Sequence, residues 1–323
     1  MKLSSFFSMQ TRHTTASVSV WQRAVSWALR GVLATWVVMV LAWGALHVFI
    51  LPRIVAQPDW LEQQATRAVG LRMQLGEVQL AGGWWMPWLT FQDVRVFDAQ
   101  QREALRLKDV TLVFSPWSLL RGGFEQVVLD QPELDIRRDA QGHVWVAGVS
   151  VQGQDDDTAL ADWFFSQHQF LIRQGTVHWR DELKHGPQAP ELSLAKVDVT
   201  LLNGWRSHAL RLDGTPPSAV GERLSLRGQF EQPLWARAGD WQQWRGQFYA
   251  HLPYTDVSQL RQWINLDQGM SLQEGRGALH AWVDVIEGMP VGVTADVTLD
   301  AVHVKLGADL QPLRLKRLQG RVG

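Results

Sequence analysis

The chain has 323 residues, a formal net charge of −1 and 20% charged residues, so no overall field of either sign directs it to nucleic acid. It contains no cysteine, which excludes disulfides, thiolate nucleophiles and cysteine-ligated metal sites. Hydrophobic residues make up 46% of the chain and 18 residues are tryptophan, which is ample material for an apolar core. The length allows two ordinary domains or one long repetitive body.

An uncharged apolar stretch near the start predicts a membrane anchor. It covers residues 31–51, and at about 1.5 Å per residue it can cross a hydrocarbon core of roughly 30 Å. Basic residues but no acidic ones precede it, so the positive-inside rule predicts a cytoplasmic tail at 1–30 and an exported region at 52–323. A signal peptide cleaved near Ala42-Trp43-Gly44 is the alternative. We favour an uncleaved anchor because the apolar run continues to Leu51.

Two further groups of residues are candidates for contact with lipid headgroups. Trp21, Trp27, Arg30 and Arg53 flank the apolar stretch, where amphipathic indoles and long basic side chains are common. Farther on, GGWWMPW (82–88) is the densest aromatic cluster. Its indoles either touch headgroups or close the end of the sheet core, and we favour the core interpretation.

The hydrophobic periodicity predicts a mainly β protein. A helix at 60–69 is capped by Asp59, and two-residue alternation then dominates. Short helices are predicted at 116–121, 159–170 and 257–264, the second of them after an acidic loop at 153–158. The strands should form a long, mostly antiparallel sheet; about fifteen of them at ~4.8 Å would extend it over roughly 70 Å. The predicted strands cover 71–81, 88–98, 104–114, 124–130, 132–138, 143–149, 170–181, 190–203, 207–213, 222–231, 243–252, 276–285, 291–299, 301–306 and 313–322.

One spacing of apolar residues (two, then three, then two) recurs along these strands. Strict alternation would turn the second apolar pair to the opposite face, unless a bulge absorbs the extra residue. The pattern therefore predicts strands that kink while keeping one apolar face, stacked into a curved trough. An ordinary sandwich or barrel core is the alternative. The spacing occurs in MQLGEVQL, in LTFQDVRV, at Leu105, Leu107, Val110 and Leu112, at Leu192, Leu194, Val197 and Val199, and in part at Leu313 and Leu315.

The sequence lacks the signatures of a catalytic or metal site. It contains no phosphate-binding loop, zinc-protease motif, nucleophile elbow or dinucleotide fingerprint. His178 and His185 are seven residues apart, which is a poor metal spacing. Asp155 to Asp157 lack the spaced ligands of a calcium loop. We therefore predict that the chain is not an enzyme, with no catalytic residue, no metal and no cofactor.

Several long motifs follow one another in a distinctive order. An N-in anchor and a short helix ending at Gly70 are followed by LTFQDVRVFDAQQREALRLKDVTLVFSPWSLL. Farther along come FLIRQGTVHWRDE, WRGQFYAHLPYTDVSQLRQWINL and GRGALHAWVDVIEGMPVGVTADVTLDAVHVKL. From about residue 23 to the end, this order resembles the AsmA-like proteins of the Gram-negative inner membrane, especially the YhdP branch. Because members of this branch are several times longer, we expect this chain to be an N-terminal portion, or a truncated reading frame, of such a protein.

The resemblance implies a periplasmic β-groove that moves phospholipid between the inner and outer membranes. Its partners would be phospholipids, the inner membrane and possible outer-membrane or envelope proteins, with no nucleic acid. The alternatives are an assembly factor that offers sheet edges to partner strands and, less favoured, an enzyme acting on envelope lipids. Under the groove hypothesis, the apolar floor is lined by Leu105, Leu107, Val110, Leu112, Leu192, Leu194, Val197, Val199, Leu313 and Leu315.

Overall fold

The computed structural model describes residues 20–69, 72–97, 101, 103–146, 149–150, 157–260, 262, 271–305 and 311–323. The chain divides into two compact units, Met1–Phe49 and Ile50–Gly323. Residues 1–19 of the predicted tail and most of the predicted acidic loop lie outside the described residues.

The chain begins with a long apolar helical region. Helix α1 (Val20–Ala45) leads into a π-helical segment (Leu46–Ile50) and helix α2 (Leu51–Val55). The helical span Trp21–Arg53 is long and apolar enough to cross a membrane, in agreement with a single N-terminal anchor. The other described helices are α3 (Pro58–Val69), α4 (Pro116–Arg121), α5 (Asp157–Ser166), α6 (Glu182–His185) and α7 (Val257–Leu260), with 3-10 turns at Gly186–Gln188 and Trp241–Gln243.

Sixteen strands in the described part of the second unit form one open sheet. Its main path runs β1-β3-β4-β5-β9-β10-β11-β12-β13-β14-β15-β16, with β2 beside β3 and with β6, β7 and β8 branching from β9. The strands are β1 (Met73–Gln74), β2 (Val78–Gly82), β3 (Pro87–Phe97), β4 (Glu103–Val113), β5 (Gln126–Asp130), β6 (Glu133–Arg138), β7 (Val144–Val146), β8 (Val149–Ser150), β9 (Gln169–Asp181), β10 (Glu191–Asn203), β11 (Ser207–Thr215), β12 (Leu224–Glu231), β13 (Arg245–Asp256), β14 (Ser271–Ile286), β15 (Met289–Lys305) and β16 (Leu313–Val322).

The prediction of a mainly β chain with a long sheet and few short helices is confirmed, but the sheet is mixed. Both β5 and β6 run parallel to β9, whereas the other pairings are antiparallel. A parallel pairing needs a crossover, which β7, β8 and α5 supply here. Because several strands branch off the main path, it contains only twelve strands, and the eleven spacings of about 4.8 Å between them extend it over roughly 50 Å, less than the predicted length.

Five strand segments absorb the extra residue of the repeated spacing in the same way. Two residues separate the first apolar pair from the second, and the second of these two adopts a left-handed backbone, with φ between 49° and 52°. This restores the apolar side chains to the original face, as the kinked-strand prediction required. The left-handed residues are Asp93, Gln131, Gln174, Lys196 and Ala301.

The left-handed residues align across neighbouring strands. Asp93 lies level with Lys108, because Gln92 pairs with Asp109 and Val94 with Leu107. In β9 the left-handed residue is Gln174. Its N–H donates to Oδ1 of Asp198 at 3.0 Å, and Asp198 lies two residues after Lys196 in β10. From β3 to β10 these kinks therefore form one crease, and Ala301 lies farther along the sheet, in β15.

Element boundaries differ from the prediction at several places, of which three have a clear cause. The predicted strand 71–81 is divided into β1 and β2 at Gly76, whose N–H donates to the carbonyl of Gln92 at 3.1 Å. The predicted helix 159–170 ends at Ser166, because its last residues pair in β9. The strands predicted at 291–299 and 301–306 form the single kinked strand β15.

Candidate functional site: the apolar face of the sheet

The four predicted residues of β4 lie on one face of the sheet. Leu105 and Leu107 pair with Val96 and Val94 of β3, and Val110 and Leu112 pair with Phe91 and Leu89. Paired residues in neighbouring strands project to the same side. The register therefore brings together the apolar residues of both motifs, on either side of the crease.

The four predicted residues of β10 also share one face. Their partners in β9 are apolar or glycine, and the same row continues into β11 and β12 through Leu212 and Leu226. The pairs are Leu192 with Trp179, Leu194 with Val177, Val197 with Gly175 and Val199 with Ile172. We call the face that carries these residues the apolar floor.

The last two predicted residues lie at the end strand of the sheet. Leu313 pairs with Val304 and Leu315 with Val302 of β15, so both belong to the apolar floor. Their exposed fractions are 45% and 37%, whereas those of Val304 and Val302 are 6% and 2%. The floor therefore becomes solvent-exposed at β16.

Burial along the floor varies from one residue to the next. Val94, Leu107 and Val197 border the crease and have exposed fractions of 2%, 6% and 0%. The other predicted residues of β4 and β10 are half-buried, including two that also border the crease; they are Leu105, Val110, Leu112, Leu192, Leu194 and Val199. The floor therefore carries both buried and accessible apolar side chains.

One end of the floor is closed by aromatic packing. Phe164 of α5 lies 4.5 Å from Phe170 of β9, and Phe165 lies 4.7 Å from Trp244, measured between ring centroids. Asp162 of α5 forms an ion pair with Arg237 of the segment 232–244. At the opposite end of β14 and β15, α7 packs on the floor through Val257, in a cluster with Leu299, Val302 and Val304. The floor thus remains accessible mainly between these two covered ends.

The opposite face of β11 to β16 is polar. Arg211 donates to Asp213 at 2.7 Å, and Arg321 donates to both carboxylate oxygens of Asp296. Burial would raise the pKa of Asp213, but hydrogen bonds from Ser225 and Arg211 outweigh it and lower the pKa. The hydrogen bond from Arg321 lowers the pKa of Asp296. These carboxylates are therefore charged at neutral pH, and charge is segregated from the apolar floor.

A buried polar network, which sequence reasoning missed, supports the closed end. Nδ1 of His208 lies 2.7 Å from Oδ1 of Asn203, and its Nε2 lies 3.2 Å from Oε1 of Gln232. Asn203 donates to the carbonyl of Gln167 at 2.8 Å. Burial lowers the pKa of His208 despite its hydrogen bond with Gln232. These residues look like ordinary polar strand ends in the sequence, and only the turns that fold them inward create the network.

The described residues offer no group of three histidine or acidic side chains that could hold a metal ion. His178 instead lies 2.7 Å from Glu191, which also accepts a hydrogen bond from Arg180 at 3.0 Å. His185 lies near the backbone carbonyl of Gln262. The two histidines considered as ligands thus have separate partners.

The predicted interfacial residues lie at both ends of the apolar helical span. The exposed fractions of Trp21 and Trp27 are 77% and 70%. The guanidinium of Arg30 lies 5.7 Å from the ring centroid of Trp27, and Arg53 is exposed in α2. Their contact with a membrane stays a prediction.

The fold and the site together define a class: an open, creased β-sheet with one apolar and one polar face, following a single N-terminal apolar helix. A family model confirms the resemblance noted in the sequence. The chain belongs to the YhdP protein family, whose model matches residues 9–323. This is an envelope-associated family of AsmA-like proteins. A search of curated proteins returned no match.

Proposed function

We propose that this protein transfers phospholipid in the cell envelope, with acyl chains lying on the apolar floor. The observation that carries this proposal is the row of half-buried apolar side chains across β9 to β13. Its members include Leu194, Val199, Leu212 and Leu226, and the polar face lies on the other side of the same strands. A sealed core would bury these side chains fully, whereas a lipid-carrying floor keeps them accessible.

The energetics explain why such a floor would need no catalytic group. Moving a phospholipid with about 30 tail methylenes into water would cost roughly 24 kcal/mol of free energy, at ~0.8 kcal/mol per methylene. A floor that keeps the tails away from water removes most of this barrier. The floor supplies the path and something else must supply the direction of transfer, so we propose that the protein is not an enzyme.

The proposal includes the orientation and the two membranes. Residues 1–30 would lie in the cytoplasm, residues 31–51 would span the inner membrane, and residues 52–323 would lie in the periplasm. The excess of basic residues before the span supports this orientation. Phospholipid would move between the inner membrane and the outer membrane, the latter reached directly or through envelope proteins. Because the chain lacks cysteine, a single introduced cysteine and an impermeant thiol reagent would report the side on which each segment lies.

The decisive experiment is photocrosslinking in cells from single unnatural residues, followed by mass spectrometry of the adducts. Leu194, Val199 and Leu315 are suitable positions because they are accessible floor residues. Arg211 and Gln247 serve as matched positions on the polar face. We expect phospholipid adducts at the floor positions alone. Equal yields on both faces, or no adducts in a folded protein, would refute lipid carriage.

The assembly-factor alternative depends on a sheet edge that can accept a partner strand. Protein adducts at strand edges, in place of phospholipid adducts on the floor, would favour this alternative over lipid transfer.

A further inference from the structure

Exposed aromatic and apolar side chains concentrate at one rim of the sheet beside its first strands. They come from two segments, the β2–β3 connection and helix α4. Neither 78–88 nor 114–123 contains an acidic residue, and Arg121 is their single charge. We call these side chains the rim patch; with their exposed fractions they are Trp84 (47%), Trp85 (66%), Met86 (44%), Trp88 (39%), Trp117 (65%) and Leu120 (67%).

The sheet itself brings the two segments of the rim patch together. Trp88 pairs with Val113, the last residue of β4. The N–H of Phe114 donates to the carbonyl of Pro87 at 3.0 Å, so the start of α4 lies beside the β2–β3 connection. The result is one continuous apolar surface rather than two isolated groups.

The rim patch lies close to the point where the chain leaves its apolar helical span. That span ends at Arg53, and helix α2, which contains Arg53, packs against β2. Leu51 of α2 has an exposed fraction of 0%. Strand β2 has five residues, so it is about 16 Å long. The connection that carries Trp84 and Trp85 therefore begins no more than the length of β2 away from the part of that strand that α2 contacts.

We propose that the rim patch is inserted into the headgroup layer of the membrane that anchors the chain. Indole rings favour this layer because they have an apolar body and a polar N–H. Arg53 and Arg121 would lie near the phosphates of anionic lipids. The first strands of the floor would then meet the bilayer, where phospholipid could pass onto the floor. This loading step rests on the proposed lipid transfer, whereas the docking of the rim patch requires only the membrane anchor.

Two other exposed tryptophans on the same rim provide the contrast. Trp205 and Trp235 have exposed fractions of 88% and 97% and lie in the β10–β11 and β12–β13 connections. From β3 to β12 the main path advances six strands, or roughly 30 Å. In the proposed arrangement, the order of strands from β3 to β12 leads away from the membrane, so Trp235 stays in water.

The test uses the full chain in vesicles of phosphatidylethanolamine and phosphatidylglycerol. A cysteine replaces Gly83, where an added Cβ meets nothing within 4 Å, or Leu234, which is 61% exposed beside Trp235. Each variant carries an environment-sensitive fluorophore, and lipids with a spin-labelled headgroup act as quencher. We expect a blue-shifted emission that is mostly quenched at Gly83→Cys and unchanged at Leu234→Cys.

Three outcomes would overturn the docking proposal. They are equal quenching at both positions, no quenching at either, and a blue shift at Gly83→Cys without quenching, which would indicate a protein contact. As a second test, Trp85→Ser, which removes a side chain that is 66% exposed, should reduce quenching at the labelled Gly83→Cys while the urea midpoint stays unchanged. If the label is quenched but floor positions yield no lipid adducts, the docking proposal stands and the lipid-transfer proposal fails. If the label is not quenched but floor positions yield lipid adducts, lipid transfer stands and docking fails.

Discussion

The imidazole ring of His208 stacks on the indole of Trp244, with centroids 3.8 Å apart and planes inclined by 8°. Both side chains are buried, with exposed fractions of 2% and 5%. His208 belongs to β11, whereas Trp244 ends the segment 232–244 and meets Phe165 of α5 edge-on. The stack therefore ties α5 and this segment to the sheet where the floor is closed.

Replacing Trp244 should strongly destabilise the second unit. The change Trp244→Ala removes a buried indole that contacts three other rings, and large-to-small substitutions of this kind cost about 3–5 kcal/mol. Urea denaturation followed by circular dichroism measures the loss. Trp235→Ala is the matched control, because that side chain is 97% exposed and its removal should change stability by less than about 0.5 kcal/mol. Similar midpoints for the two variants would contradict this packing.

The buried His208 should make stability depend on pH. Burial lowers its pKa, so in the unfolded chain, where the pKa is about 6.5, it binds a proton more readily. The stabilisation from neutral His208 is complete above that pH and declines as pH falls below it. Urea midpoints measured from about pH 8 to about pH 5 should fall more for the wild-type protein than for His208→Gln, which cannot titrate. Parallel curves would show that His208 does not contribute.

The buried carboxylate of Asp181 should matter more than an exposed one. Burial alone would raise its pKa, but the hydrogen bond and charge of Arg138 lower it overall. Asp181 is 1% exposed, so Asp181→Asn should lose about 1–3 kcal/mol in urea denaturation. Asp300→Asn is the control, because Asp300 and Arg317 are 69% and 62% exposed and 3.8 Å apart. Equal effects would argue against a special role for Asp181.

The crease can be tested at Lys196, whose φ is 50°. Glycine adopts this conformation freely, whereas a left-handed L-residue costs roughly 1–2 kcal/mol. Lys196→Gly should therefore preserve or increase the free energy of unfolding, and the β-branched Lys196→Val should decrease it. Thermal melting of both variants provides the comparison. A less stable glycine variant would contradict the left-handed bulge.

Polar substitutions on the floor should separate packing from lipid contact. Val197 is fully buried at the crease, with an exposed fraction of 0%, so Val197→Asn should cost about 2–4 kcal/mol. Leu194 lies on the other side of the crease in β10 and is half-buried. Leu194→Asn should cost less stability but reduce lipid adducts at Val199 on the same floor. If both variants lose stability equally, the floor around Leu194 is a sealed core.

Local patterns in the sequence predicted much of this fold. The spacing of Leu192, Leu194, Val197 and Val199 predicted both the kink and the shared apolar face, because a side chain's face depends only on residue count and one bulge. The apolar helical span was equally readable, since it depends on length and composition. The membership in the YhdP family agrees with the order of these motifs.

The tertiary structure alone decided how these strands associate and which floor residues are covered. The parallel pairings of β5 and β6 with β9 depend on a crossover that alternation cannot reveal. Leu107 is buried while Leu105 is half-buried, although both belong to one motif. That difference, like the burial of His208, depends on contacts between residues far apart in the chain. The sequence by itself therefore determined the two faces of each strand, and folding determined where the apolar face stays open.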